Sequence, residues 1–115
     1  MEFGSQEFFE RLKAGVAAGD PDVYVDLNNT VEHAVKNLVR SKVKFSDVDD
    51  VIQEIQLSVW QRVTTFLITS ENNAPSQRNA WLIKVAKSRI IDFINHNYRD
   101  RPDQFGDDEA TGGKP

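Results

Sequence analysis

Cysteine is absent from the 115 residues, which excludes disulfides and thiolate metal centres and agrees with a reducing cytoplasm. Histidine occurs twice, as His33 and His96, too far apart in sequence to suggest a shared imidazole site, so no metal is expected. His33, between Glu32 and Ala34 in a helical stretch, reads as structural or exposed. No apolar run approaches the roughly 20 residues of a membrane-spanning helix. There is no basic start followed by an apolar core, so no secretory signal is read and the expected location is cytoplasmic. A glycine-rich phosphate loop, an HExxH motif and a nucleophile with an identifiable base are all missing. Neither an enzyme nor a cofactor is expected. Strand-like alternation and internal repeats are missing too.

What remains is a helical pattern of ordinary composition, with 39% hydrophobic and 28% charged residues. The length suits one domain with a modest core. The opening MEFGS reads as a cloning remnant and carries no weight. A first helix is expected from about Gln6 to Ala18, with Gly19 as its stop and Phe8, Phe9, Leu12, Val16 and Ala17 apolar. Asp20-Pro21 then opens a second helix, because aspartate caps free N–H groups and proline tolerates the first helical position. It runs to about Arg40, and Val23, Tyr24, Leu27, Val31, Ala34, Val35 and Leu38 form its buried face.

A third helix is expected behind a Ser46 cap, with Asp49 completing a capping-box variant and the first-turn acids favouring the helix dipole. Its buried stripe is Val48, Ile52, Ile55, Val59 and Val63; the opposite stripe is Asp49, Gln53, Gln56 and Trp60, with Asp50 and Glu54 alongside. The polar loop TSENNAP ends in proline and stops any helix. A fourth helix follows from about Ser76 to Tyr98. Leu82, Val85, Ala86, Phe93 and Ile94 form its apolar face, and Trp81, Lys84, Ser88, Ile91 and Asn95 lie on another. The fold class is therefore all-α, a compact bundle of about four helices over residues 1–101. Residues 102–115 read as a flexible tail or the start of an interdomain linker.

The net charge is −4, but it is unevenly spread. Arg78 to Arg101 contains six cations against Asp92 and Asp100, whereas Ser46 to Glu54 contains four acids and no cation. A polyanion senses the local patch rather than the average. Each feature has a plainer reading beside this one. The acids of the third helix serve as dipole caps, Trp60 fits a core as well as an interface, the lysines of the fourth helix suit a solvated face, and Trp81 taken alone fits a core. Two combinations favour binding: amides and carboxylates beside Trp60 suit a protein partner, and cations beside Trp81 after an amide-rich loop suit single-stranded nucleic acid.

These stretches resemble the second conserved domain of bacterial RNA polymerase sigma factors, closest to the extracytoplasmic-function group. VDDVIQEIQLSVW is similar to that family's AEDxxQExFLxxW segment, and NAWLIKVAKSRIIDFINHNYRD to its FxxWLxxIAxNxxxDxxR segment. The entry FFERLKAGVAAGDPDVYVDL resembles its first helices, so the likeness covers roughly Gln6 to Arg101.

The resemblance implies a transcription initiation factor. Asp49, Asp50, Gln53, Glu54, Gln56 and Trp60 would dock on the clamp helices of the largest subunit of core RNA polymerase. Trp81, Lys84, Lys87, Ser88 and Arg89 would hold the melted non-template strand of the promoter minus-ten element. Asn72, Asn73, Gln77 and Arg78 would border a pocket for a flipped base. An anti-sigma factor is a further partner of this kind, and a helical protein-binding module without DNA recognition is the alternative. The chain departs from the pattern at Gln56, usually aromatic or aliphatic, and at Ser88, often asparagine. Its arginine cluster is thinned to NHNYRDR, and the family's helix-turn-helix domain is not in the sequence. The expectation is a fragment, since GDDEATGGKP carries no folding signal.

Overall fold

A computed structural model describes residues 2–98. The expected tail at 102–115 and the end of the domain at 99–101, with Arg99 and Arg101, lie outside the described residues. Among those described, five α-helices and no strand form an all-α bundle: α1 (Gln6–Ala18), α2 (Pro21–Arg40), α3 (Val48–Gln61), α4 (Val63–Thr69) and α5 (Pro75–Asn97).

The helix boundaries follow local chemistry. Ser5 Oγ accepts the Phe8 N–H at the start of α1, and Gly19 ends that helix at φ 67°, a left-handed conformation open to glycine without a Cβ penalty. Asp20 Oδ1 accepts the Asp22 N–H ahead of Pro21. Gly15 lets α1 and α2 meet closely, since a Cβ there would lie 2.7 Å from the Val23 side chain.

Helix α3 packs between α2 and α5. Leu27, Val31, Val35 and Val39 of α2 meet Val51, Ile55 and Val59 of α3 in a core where all are almost fully buried, and Leu82, Ala86 and Ile90 of α5 join it. Burying side chains of this size stabilises by about 1.5–3 kcal/mol each before entropy is counted. Tyr24 and Ala34, expected on the buried face of α2, are instead exposed at its edge, as is Ala17 of α1.

Three further expectations change. The helix count rises from four to five because the chain breaks at Arg62 (φ −107°, ψ 5°), leaving VTTFLIT as the separate α4. Five of those seven residues are β-branched and favour helix weakly, so burial of Val63, Phe66 and Leu67 holds α4 in place. Ser46 does not cap α3. Phe45–Asp47 forms a 3₁₀ turn, and the Asp47 carboxylate accepts the Tyr98 hydroxyl at 2.6 Å rather than a helix N–H. That hydroxyl also accepts the Lys44 N–H at 2.8 Å, and the Lys44 ammonium lies 5.3 Å from the Tyr98 ring centre. The end of α5 is thereby pinned to the entry of α3.

The opening residues, set aside in the sequence, belong to the fold. Phe3 is 2% exposed and sits against Phe8, Phe66 and Trp81 at ring-centre distances of 5.8, 5.3 and 6.2 Å. Gly4 fits where a Cβ would lie 2.3 Å from the Pro75 carbonyl oxygen.

Candidate interaction faces on α3 and α5

The acidic helix presents Asp49, Asp50, Gln53 and Glu54 to solvent because Val51, Ile52 and Ile55 turn inward. Gln56 and Trp60 behave differently from these four. The Gln56 Nε2 donates to the Asn28 carbonyl of α2 at 3.0 Å, and the half-buried Trp60 ring meets the Tyr24 ring edge-on at 5.0 Å. Gln56 and Trp60 therefore tie α3 to α2 and leave only part of their surface for a partner. Between α3 and α5 runs a groove of about 760 Å³, where Asp50, Gln53 and Glu54 face Arg89, Asp92 and His96. Leu57 lines the same groove at 49% exposed and was missed in the sequence. Its signal was there: an apolar residue two past Ile55 falls off the three-to-four stripe.

On α5 the cationic face is solvent-exposed at Lys84, Lys87 and Ser88, and Arg89 is half-buried. A smaller groove of about 260 Å³ brings Trp81, Lys84, Ser88 and Arg89 together with Val85 and Arg62. Arg62 was overlooked because it lies outside the Arg78–Arg101 run, yet the break after α3 carries it to α5. Lys87 does not line this groove and stands beside it on the exposed surface. Arg89 lines both grooves, and its guanidinium donates to the Asp92 carboxylate. The two faces thus meet at one ion pair.

Trp81 is half-buried rather than free. Phe66 lies 4.4 Å from it at 37°, and Phe3 is stacked on it at 6.2 Å and 4°. Much of its π-surface is spent inside the fold, so the part lining the groove is what remains for a ligand.

Arg78 corrects an expectation outright. It is 0% exposed, so its assignment to the strand interface does not hold in this structure. Arg78 lies three residues before Trp81, at a position of α5 that turns inward. A buried cation requires compensation. Its Nε donates to the Ser70 carbonyl at 3.1 Å, its Nη2 to the Glu71 carbonyl at 3.1 Å and its Nη1 to the Gly4 carbonyl at 3.5 Å. Its guanidinium carbon also lies 4.1 Å from the Phe9 ring centre. No carboxylate pairs with it among the described residues.

The turn before α5 is built on these contacts. Asn72 is exposed and Asn73 half-buried, and the Asn73 N–H donates back to the Ser70 carbonyl at 3.1 Å. Gln77, expected at a base pocket, uses its Oε1 to accept the Ala74 N–H at 2.7 Å, completing the start of α5. Glu71 Oε2 accepts from Lys13 Nζ at 2.9 Å, which raises the Lys13 pKa through that hydrogen bond and the accompanying charge attraction. Among the described residues no cluster of three or more His, Cys, Asp or Glu is arranged to hold a metal ion, and no helix is long and apolar enough to cross a membrane. No family model, curated protein or solved structure matches the chain.

Proposed function

We propose that the chain acts as a sigma-factor domain-two-like module. In this reading α3 docks on the clamp helices of core RNA polymerase, and α5 captures the melted non-template strand of the minus-ten element. The observation that carries it is the smaller groove, where Arg62, Lys84 and Arg89 surround an apolar floor of Trp81 and Val85. Cations neutralise phosphates, while an exposed aromatic edge and an aliphatic floor accept an unstacked base. Extruding a base costs a few kcal/mol, and stacking at about 1–3 kcal/mol per base with added hydrogen bonds offsets it. Trapping the open strand promotes melting without a chemical step, so no catalytic residue is called for. The net charge of −4 limits tight binding to duplex at non-specific sites.

The test is binding to single-stranded minus-ten-like oligonucleotides by fluorescence anisotropy across a salt series, alone and with core polymerase. Salt-sensitive, sequence-selective binding is expected, and Lys84→Ala with Lys87→Ala weakens it. Unchanged affinity in that double variant removes α5 from the proposal. For α3, co-purification with core polymerase is expected to fail after Gln53→Ala with Glu54→Ala; retained binding rejects the interface. A second reading, a helical module held by a regulatory protein such as an anti-sigma factor without DNA recognition, draws on the larger groove, where exposed Leu57 and Tyr24 offer apolar contact beside acidic groups. Polymerase-independent binding to protein, with no oligonucleotide binding in either condition, would favour it.

A further inference from the structure

The turn Ser70–Ala74 has little of its own to hold it in shape. Among its side chains only Ser70 is buried, Asn73 is half-buried, and Glu71, Asn72 and Ala74 face solvent. Its geometry comes from beneath. The buried Arg78 guanidinium grips the carbonyls of Ser70 and Glu71 in one fork, rests on Phe9 and reaches the Gly4 carbonyl. The Lys13–Glu71 ion pair braces the same turn from α1.

We infer that Arg78 is a positioning residue, which sets the backbone of the Ser70–Ala74 turn so that Asn72 and Asn73 present their amides in one fixed arrangement to an unpaired base. The inference rests on the proposed strand-capturing function but assigns Arg78 a part that needs no contact with nucleic acid. Charge alone does not meet the requirement. A planar guanidinium donates to two neighbouring carbonyls at once, whereas a lysine ammonium is a compact point charge on a flexible stem. An apolar residue of similar length fills the space beside Phe9 but leaves the Glu71 carbonyl without its donor. The Ser70 carbonyl retains the Asn73 N–H, so the loosening spreads from Glu71 and Asn72.

The experiment compares Arg78→Met and Arg78→Lys with the unaltered chain by two readouts. One is residue-resolved amide hydrogen exchange. The other is the selectivity among single-stranded oligonucleotides with one position varied over the four bases. In Arg78→Met, exchange at Ser70 and Asn73, whose N–H groups are bonded within the turn to the Phe66 and Ser70 carbonyls, is expected to speed by about tenfold or more, as befits a lost hydrogen bond to a charged donor. Exchange in α2 and α3 changes less, which separates positioning from general destabilisation. Selectivity falls towards equal binding of all four bases, while the salt dependence stays, since Arg62, Lys84 and Lys87 are intact. Arg78→Lys falls in the same direction and supplies the comparison where the methionine variant does not fold. Unchanged exchange at Ser70 and Asn73 in either folded variant overturns the inference, and so does retained selectivity despite faster exchange. Absence of single-strand binding by the unaltered chain, alone and with polymerase, defeats the functional reading instead; the exchange pattern then still decides whether Arg78 holds the turn.

Discussion

At the scale of the residue, neighbours decide what a side chain is free to do. Arg62 and Arg78 carry the same side chain, yet one lines an open groove and the other is wholly enclosed. Arg62→Ala is expected to weaken single-strand binding several-fold and to lower the salt slope by about 0.7, the share of one phosphate contact on a single strand. Anisotropy titrations at several salt concentrations measure both. Phe3→Ala tests the aromatic cluster around Trp81 and is expected to cost about 3 kcal/mol, near the lower end for a buried phenylalanine because a terminal segment relaxes readily. Urea unfolding followed by circular dichroism gives that value. No periodicity marked Phe3, because it precedes the first helix. Nothing in a single sequence separates Arg78 from its exposed neighbours either: a buried cation is legible only once the carbonyls that satisfy it are placed in space.

At the scale of the element, the long amphipathic segments were readable and the junctions were not. The caps at Asp20 and Gly19 gave the limits of α1 and α2, since each works through residues adjacent in sequence. The break at Arg62 left no such mark, because Val59, Val63, Phe66 and Leu67 stay on one helical face whether the helix continues or bends. The Ser46 cap failed because Phe45–Asp47 forms a 3₁₀ turn that shifts the N-cap position to Asp47, and the Asp47 carboxylate is in turn taken by Tyr98, fifty-one residues away. Tyr98→Phe removes the hydroxyl that bonds both Asp47 and the Lys44 N–H. A loss of about 1–2 kcal/mol is expected in urea unfolding, with amide exchange at Lys44, whose N–H loses its acceptor, speeding relative to the unaltered chain while α2 changes less. The Lys13–Glu71 pair joins α1 to the turn before α5, and Lys13 has a raised pKa in the folded chain, chiefly from its hydrogen bond to Glu71. A raised lysine contributes fully below its unfolded pKa and loses that contribution as pH climbs through the folded value. The brace is therefore expected to persist from neutral pH into the mildly alkaline range and to fade only under strongly alkaline conditions. Both groups are exposed, so the effect on global stability is small. The side-chain NMR shifts of Lys13 and Glu71, followed through the alkaline range, report it.

At the scale of the whole molecule, the all-α bundle and the contrast between an acidic and a basic helix were legible because both depend on patterns summed over many residues. The two grooves were not legible, since each combines residues from separate elements. Arg89 lies on both. Charge neutralisation on one face is therefore expected to be felt on the other: Asp92→Asn, by freeing the Arg89 guanidinium, raises affinity for single-stranded oligonucleotide by a modest factor, on the order of two- to five-fold, as for a partly exposed ion pair. Unchanged affinity in anisotropy titrations would show that the pair does not restrain Arg89.

The bond between Tyr98 and Asp47 also has a mechanical meaning. Tyr98, the last described residue, is bolted through its side chain to Asp47 at the entry of α3, so tension applied at that end of α5 loads a hydroxyl–carboxylate bond together with the packing of the Tyr98 ring. In an optical-trap experiment with handles at the two ends of the chain, Tyr98→Phe should therefore let the end of α5 peel away at lower force while the rest of the bundle unfolds at nearly its original load.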